Sequence, residues 1–193
     1  MREISVVLGA HNKTEINNST RFNVKNITIH PDYKIKQKHN DIAILEMEGS
    51  ADFSTFKIRP VCLPTSSREN LTEFRAGGFG KNGDMDSSEL SQTTLITHDI
   101  TKCNFTTYTK LNETLHFCAG PNGTIGGDVC RGDSGGPTFS FDPNHTNCLS
   151  VVMGVISKGN QCDGESASSL HTRVSYYRKW IEQIVWPNDT SKE

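Results

Sequence analysis

The sequence predicts an all-β protein that ends in a single helix. Short runs of β-branched and apolar residues recur along the chain, and clusters of Asn, Gly, Ser and Pro separate them. This spacing is typical of a barrel or a sandwich and not of alternating strands and helices. The predicted strands are Ile4–Leu8, Phe22–Ile29, Ile42–Leu45, Thr94–Ile96 and Leu149–Ile156.

The end of the chain has the helical period. Ser175 is the predicted N-cap of this helix, and Pro187 is the predicted stop. We expect the helix to dock on the β-structure through one apolar face, with a loose polar tail after it. The residues of that face are Tyr177, Trp180, Ile181 and Ile184.

Composition limits the classes of partner. The chain has 193 residues, 34% of them apolar, which is enough for one sizeable core or two small ones. A formal net charge of −2 argues against nucleic acid or an anionic membrane as the main partner. No apolar run approaches the length of about 18 residues that a membrane-spanning helix needs.

Sequons and cysteines indicate the secretory pathway. Ten Asn-x-Ser/Thr sequences use two thirds of the 15 asparagines, and such sequons are glycosylated on exposed loops of exported proteins. Six cysteines fit an oxidising compartment. The first residues lack a signal peptide, so we expect a secreted glycoprotein whose N-terminal part is missing. The sequons are at Asn12, Asn17, Asn18, Asn26, Asn70, Asn104, Asn112, Asn122, Asn144 and Asn188.

The strongest chemical signal is the segment at 128–137, which reads Asp-Val-Cys-Arg-Gly-Asp-Ser-Gly-Gly-Pro. Glycines around Ser134 let the backbone approach a substrate closely. The hydroxyl of Ser134 is then free to attack, and neighbouring N–H groups can face a developing oxyanion. The segment therefore predicts a nucleophilic serine.

This segment resembles the nucleophile loop of chymotrypsin-like (trypsin-like) serine proteases, and the resemblance covers nearly the whole chain. It includes Val-Leu-Gly-Ala-His-Asn at 7–12, His-Pro-Asp-Tyr at 30–33 and Asn-Asp-Ile-Ala-Ile-Leu at 40–45. Arg-Pro-Val-Cys-Leu-Pro at 59–64 and Gly-Gly-Phe-Gly at 77–80 belong to the same pattern. The pattern is closest to the clip-type proteases of arthropod extracellular cascades.

The resemblance implies a double β-barrel with a C-terminal helix. A partial first barrel would occupy residues 1–58. The linker and a complete second barrel would occupy residues 59–174, and the helix and tail residues 175–193.

The resemblance also assigns roles to single residues. Asp41 would be the aspartate of the catalytic triad, which holds the histidine in its reactive tautomer and stabilises the imidazolium. Ser134 would be the nucleophile, and the N–H groups of Gly132 and Ser134 would form the oxyanion hole. Asp133 would pair with the amino terminus that activation cleavage frees in the family.

A primary specificity pocket is implied around Asp128, whose carboxylate would pair with a substrate Arg or Lys. The family pattern is broken around it: Lys158 replaces a tryptophan, Ser169 adds a side chain at the wall, and His171 replaces a tyrosine. The implied partners are protein substrates with a basic residue before the cleaved bond, and serpin-type inhibitors. The implied wall residues are Ser157, Gly159 and Ser169.

The cysteines follow the same resemblance. Cys62 resembles the cysteine that tethers such a domain to an upstream prodomain, whereas Cys148 has no obvious family partner. Two alternatives remain for this pair, a Cys62–Cys148 bridge or two free thiols. We expect no metal or cofactor, because no spacing of Cys and His resembles a zinc motif. The implied disulfides of the second barrel are Cys103–Cys118 and Cys130–Cys162.

The general base that Ser134 needs is not obvious. In the family it precedes the aspartate, but His11, His30 and His39 each match another family segment. We therefore expect that the chain begins after the catalytic histidine and that it has no useful protease activity alone. The alternative is a non-catalytic secreted homologue that uses the same surface as a binding scaffold.

Overall fold

The computed structural model describes residues 4–15, 20–54, 57–65, 72–82, 85–105, 111–123, 127–141, 149–160, 162 and 167–188. The strands of these residues are β1 (Ser5–Val7), β2 (Arg21–Ile29), β3 (Ala43–Met47), β4 (Glu73–Gly78), β5 (Ser91–His98), β6 (His116–Gly120), β7 (Pro137–Ser140), β8 (Val151–Gly159) and β9 (Ser169–Arg173). The helix α1 (Val174–Val185) follows β9 directly, and short 3-10 turns lie at Lys13–Glu15 and Ile100–Cys103. The prediction of an all-β protein with a C-terminal helix is confirmed.

Six of the strands close into a barrel in the order β4-β5-β6-β9-β8-β7. All neighbouring pairs are antiparallel, and closure leaves no unpaired strand edge in the barrel. Alternate side chains fill the interior, where the rings of Phe74 and Phe117 meet edge to face at 5.2 Å. The expected complete second barrel is confirmed. The same core cluster includes Ala76, Leu95, Ala119, Val129 and Ile156.

The first three strands form an open antiparallel sheet in the order β1-β2-β3. Ile27 is opposite Leu45 and Ile29 is opposite Ala43, so these side chains share one face. Ile27, Ile29 and Leu45 are 42%, 58% and 46% exposed. An exposed apolar face of this kind is uncommon on a folded domain. The described strands of the first barrel are thus a partial barrel, as predicted.

Backbone pairing joins the open sheet to the closed barrel. After β1, Lys13 N donates to Ser88 O at 2.7 Å, and Leu90 N donates to His11 O at 2.8 Å. At Cys62 the connecting segment runs parallel to the start of β8. The two parts of the chain therefore share hydrogen bonds as well as side-chain contacts.

Helix α1 docks by its apolar face, as predicted. Tyr177 is 1% exposed and packs with Ile42 and Leu115, while Trp180 and Ile181 cover the same cluster. Burial raises the pKa of the Tyr177 hydroxyl strongly. Residues beyond 188, where the sequence predicts a loose tail, lie outside the described residues.

The predicted N-cap of this helix, Ser175, is wrong. Arg173 occupies the N-cap position, and Ser175 is the second residue of the helix. The physical reason is that Arg173 still pairs with β8 and donates its guanidinium protons to the carbonyl oxygens of Glu113 and His116. The chain passes from strand to helix without a side-chain cap.

Candidate active site

Ser134 lies on an exposed turn that leads into β7. Gly136 N donates to Asp133 O at 2.8 Å and closes the turn. Gly132 and Gly135 have φ values of +100° and +87°, which disfavour residues with a side chain. The glycines of the motif are therefore required by the backbone that presents the serine.

Hydrogen-bond donors are available beside the serine. Among the described residues, neither the N–H of Gly132 nor that of Ser134 donates to another group, and the Ser134 hydroxyl also has no partner. Both residues are exposed. An exposed hydroxyl with two available backbone donors on one turn is the arrangement that acyl transfer needs.

Asp133 turns away from the surface and supports the turn from below. Its Oδ1 accepts the N–H of Gly80 at 2.7 Å, and its Oδ2 accepts the N–H of Cys130 at 2.9 Å. The carboxylate lies so close that a Cβ on Gly80 would be 2.5 Å from Asp133 Cγ. No lysine or arginine of the described residues forms an ion pair with Asp133. Asp133 borders a pocket of about 320 Å³, which Lys81 and Asn82 also line.

Asp41 is held on the opposite side of the site. Its Oδ2 accepts the hydroxyl of Ser157 at 2.6 Å and lies 3.8 Å from Lys38 Nζ. Its backbone oxygen accepts the hydroxyl of Thr172 at 2.9 Å. Burial and the nearby Asp41 carboxylate raise the pKa of Tyr33.

The residues around Asp41, which we call the aspartate loop (38–41), are bonded to the closed barrel and the helix. His116 of β6 donates from Nε2 to Lys38 O at 2.9 Å. Tyr177 of α1 donates to Asn40 Oδ1 at 3.0 Å. Lys38 and Asn40 have φ values of +57° and +55°, so two residues of the loop adopt the left-handed conformation. These contacts fix where the carboxylate lies.

Asp41 and Ser134 border one cavity of about 550 Å³. The remaining lining is mainly apolar and includes Ile29, Ile42 and Val155. No histidine is among the described lining residues. The structure thus brings the predicted aspartate and the predicted nucleophile to one cavity, whose described lining contains no histidine.

The three histidines that precede Asp41 are engaged elsewhere. His30 packs its ring against Trp180 at 4.9 Å on helix α1. The ring of His39 lies 5.7 Å from that of His116. His11 pairs through its backbone with Leu90, as described above. None of the three is among the described residues that line the cavity.

Asp128 is 8% exposed and shares the pocket of about 320 Å³ with Asp133, which precedes Ser134. Its Oδ1 accepts the N–H of Val129 and the hydroxyl of Ser169, both at 2.8 Å. Its Oδ2 is buried and has no hydrogen-bond partner among the described residues. Burial raises the pKa of Asp128 to about 6, and the two hydrogen bonds oppose that rise. The structure therefore brings Asp128 and Ser169 together, as the resemblance implied.

The other implied wall residues of the specificity pocket, Gly159 and Ser157, have different surroundings. Gly159 lies against the backbone of the pocket, since a Cβ there would be 3.7 Å from Val129 O and 3.9 Å from Ser168 O. Ser157 directs its hydroxyl to Asp41 and so serves the aspartate. The Lys158 ammonium lies over the Phe105 ring at 5.7 Å.

Sequence reasoning did not foresee what His171 and Thr138 do. His171 Nε2 is 2.9 Å from Ser169 Oγ, and His171 Nδ1 is 2.7 Å from Thr138 Oγ1. The imidazole is fully buried, stacks on Phe117 at 4.9 Å, and has its pKa lowered by burial to about 3. The signal that could have found it is spacing, because residues two apart on a strand share a face. We call Asp128, Ser169, His171 and Thr138 the Asp128 relay.

Both implied disulfides of the second barrel are present. Cys103 and Cys118 are joined with a Cα–Cα distance of 5.8 Å, and Cys130 and Cys162 with one of 4.8 Å. Cys62 is also disulfide-bonded, so the alternative of a free thiol is wrong for this residue. Cys148 lies outside the described residues, and the Cys62–Cys148 bridge stays a prediction.

In the described ranges of the chain, no group of three or more His, Cys, Asp or Glu residues is placed to hold a metal ion. Of the helices in those ranges, none is long and apolar enough to span a membrane.

A closed β-barrel that presents Ser134 on a glycine turn, across a cavity from Asp41, is the arrangement that the resemblance to two-barrel serine proteases implied. A comparison with known families agrees: the family described as Trypsin matches residues 1–181. The chain therefore belongs to the trypsin family of serine proteases.

Curated relatives include arthropod proteases. The chain is 30% identical to CLIP domain-containing serine protease B9 of Anopheles gambiae, over 94% of the chain and 48% of that protein. It is 34% identical to Melanization protease 1 of Drosophila melanogaster, over 81% of the chain and 41% of that protein. It is 32% identical to a trypsin of Phaedon cochleariae, over 83% of the chain and 60% of that protein. The chain thus spans only part of the length of these relatives.

Proposed function

We propose that this chain is the part of a secreted trypsin-like endopeptidase that carries the nucleophile, the oxyanion donors and the specificity pocket. On its own it does not hydrolyse peptide bonds. The proposed substrates are proteins with Lys or Arg before the cleaved bond, and the proposed inhibitors are of the serpin type. The observation that carries the proposal is the cavity shared by Asp41 and Ser134, in which no described lining residue is a histidine.

The polar groups of the site each have a place in acyl transfer. The Ser134 hydroxyl would attack the substrate carbonyl carbon, and the oxyanion that forms would accept the N–H groups of Gly132 and Ser134. The proton that Ser134 releases needs a base. Asp41 accepts the Ser157 hydroxyl and lies across the cavity from Ser134. Its role is therefore to orient a histidine and stabilise the imidazolium that forms, and Asp41 does not itself act as the base.

Known magnitudes indicate how much activity the chain loses without a base. Removing the histidine of such a triad lowers the rate by about a million-fold, and about a thousand-fold acceleration over water remains from the oxyanion hole and binding. The charge partner of Asp133 affects this remainder, because Asp133 supports the turn that carries the oxyanion donors. Without a cation at Asp133, we expect even the residual rate to fall.

A fluorophosphonate probe tests the proposal on the purified chain. We expect no labelling above that of the matched control Ser134→Ala, and no hydrolysis of fluorogenic lysine or arginine peptides. Labelling that depends on Ser134 would show that the chain activates its nucleophile and would contradict the proposed inactivity. In that case, loss of labelling in Lys38→Met would identify the lysine at Asp41 as the activating group.

A second candidate function is that of a non-catalytic scaffold of protease lineage. The same observation favours it, because a site without a base can bind a peptide without cleaving it. The two functions differ in the gene: an enzyme requires coding sequence for a catalytic histidine upstream of Met1, whereas a scaffold requires none. The transcript sequence separates them.

Secretion and glycosylation are also proposed. Five sequon asparagines are exposed in the described residues, namely Asn26, Asn104, Asn112, Asn122 and Asn188. The disulfides support an oxidising compartment. Expression with a secretion leader, followed by N-glycosidase treatment, should lower the apparent mass by several glycans. An unchanged mass would overturn the glycoprotein proposal.

A further inference from the structure

The direction of the hydrogen bonds in the Asp128 relay follows from its donors and acceptors. The single hydroxyl hydrogen of Ser169 has two acceptor-only oxygens near it, Asp128 Oδ1 at 2.8 Å and Ala119 O at 3.3 Å, and it is donated to the carboxylate, which is nearer and charged. His171 must then donate from Nε2 to Ser169 Oγ, and its Nδ1 accepts the hydroxyl hydrogen of Thr138. Every member is buried, so water does not compete for these bonds. Ser169 is therefore held in one rotamer, against one oxygen of Asp128.

The two oxygens of Asp128 are consequently unequal. Oδ1 already accepts two hydrogen bonds, from Val129 N–H and from Ser169 Oγ–H. Oδ2 accepts none among the described residues, although it is buried. A buried carboxylate oxygen without a donor is costly, and a cation that reaches it would remove that cost. Asp128, which borders the pocket of about 320 Å³ described above, thus has one carboxylate oxygen without a donor among the described residues.

We propose that Ser169, held by His171, makes this pocket select lysine over arginine. The inference rests on the proposed function, because it assumes that Asp128 receives a basic side chain. Ser169 is the specificity-determining residue, and His171 is a positioning residue that acts through it.

The selection follows from the shapes of the two cations. A guanidinium binds a carboxylate best through two parallel N–H bonds, one to each oxygen. The engaged Oδ1 cannot accept a third bond in that plane without losing Ser169 or Val129. An ammonium is a compact point charge that needs only one carboxylate oxygen. The Ser169 side chain also occupies space beside the carboxylate, which disfavours the wider guanidinium.

Binding of two small cations to the full chain, measured by calorimetry at pH 8, tests the proposal without requiring catalysis. The probes are benzamidine, which presents the fork of arginine, and cyclohexylmethylamine, which presents the ammonium of lysine. We expect Ser169→Ala to raise the benzamidine affinity about tenfold or more, which is the worth of one recovered charged hydrogen bond. The amine affinity should change less than about threefold. Ser169→Gly should raise the benzamidine affinity at least as much, because it removes both the hydroxyl and the methylene; an unchanged affinity in Ser169→Gly would overturn the selection.

The outcomes separate this inference from the proposed function. If benzamidine binds the wild type as tightly as it binds Ser169→Ala, the selection for lysine is overturned while the basic pocket stands. If neither probe binds any variant, or if both bind Asp128→Asn equally well, the basic pocket fails and the inference fails with it.

The role of His171 has its own readout. The ¹⁵N chemical shifts of the imidazole should report a neutral ring protonated at Nε2 throughout the neutral pH range. A ring protonated at Nδ1 would reverse the relay, leave Ser169 free to turn from Asp128, and overturn the positioning role.

Discussion

Replacing His171 by phenylalanine should destabilise the closed barrel mainly through Thr138. The new ring keeps the stacking on Phe117, but the Thr138 hydroxyl loses its acceptor at 2.7 Å. Both residues are 0% exposed, so water cannot replace the lost partner. A buried hydroxyl left without a partner costs about 1–3 kcal/mol. Adding the lost bond to Ser169, we expect His171→Phe to lower the free energy of unfolding by about 2–4 kcal/mol.

A double-mutant cycle with Thr138→Val isolates that cost. Valine has nearly the shape of threonine and carries no hydroxyl, so in the double variant neither partner is left unsatisfied. The double variant should therefore be more stable than the sum of the single effects predicts, by about 1 kcal/mol or more.

The assay is urea unfolding followed by far-ultraviolet circular dichroism, which reports on the backbone of the whole domain. Tryptophan fluorescence would report mainly on the helix, because Trp180 lies in it and Trp186 lies at its end. Thr94→Val on the exposed side of β5 is the matched control, and it should combine additively with His171→Phe. Additivity of His171→Phe and Thr138→Val within about 0.3 kcal/mol would refute the reasoning.

Three further predictions concern packing, pH and covalent structure. Gly154→Ala should destabilise the barrel by about 1–3 kcal/mol, because its Cβ would lie 2.6 Å from Phe117 Cζ. Thermal unfolding tests this prediction, and Gly159→Ala is the control, because a Cβ on Gly159 has room. The folded pKa of Asp128 of about 6 lies above its unfolded value of about 3.8, so the folded form binds the extra proton between these values. Ionised Asp128 therefore destabilises the protein above pH 6, and Asp128→Asn should be more stable than the wild type at pH 8 but not at pH 3.5; equal stability of the two at both pH values would contradict this. Peptide mapping without reduction should recover Cys62 joined to Cys148, and recovery of Cys62 with any other cysteine would exclude that bridge.

The sequence predicts the fold best where strands are apolar and regular. The runs at Phe22–Ile29 and Leu149–Ile156 correspond to β2 and β8. Four strands, β4, β6, β7 and β9, were not predicted from periodicity. Strand β9 shows why: Ser-Leu-His-Thr-Arg looks polar, yet four of its five residues are buried. Their polar groups are paired through contacts with other elements, which a one-dimensional pattern cannot reveal.

The candidate site could likewise be predicted only in part from the sequence. A local motif suffices for Ser134, because its turn is built from adjacent glycines. The contact between Asp128 and Ser169 joins residues 41 apart in sequence, and only the family resemblance anticipated it. The contact between Ser169 and His171 departs from the family pattern, so the resemblance does not predict it, and its one signal in the sequence is the two-residue spacing on a strand. It follows from packing, which places a neutral imidazole between two hydroxyl groups.

The bonding of the aspartate loop has a consequence for exchanging parts between relatives. Asp41 is encoded with the first barrel, but the groups that hold residues 38–41 come from β6, β8, β9 and α1. A chimera cut at the linker would pair a foreign loop with native donors, and its carboxylate would be misplaced wherever those donors differ. The loop must therefore be exchanged together with the four residues that bond to it, which are His116, Ser157, Thr172 and Tyr177. Recombination that respects this unit can exchange the rest of the first sheet and leave the aspartate in place.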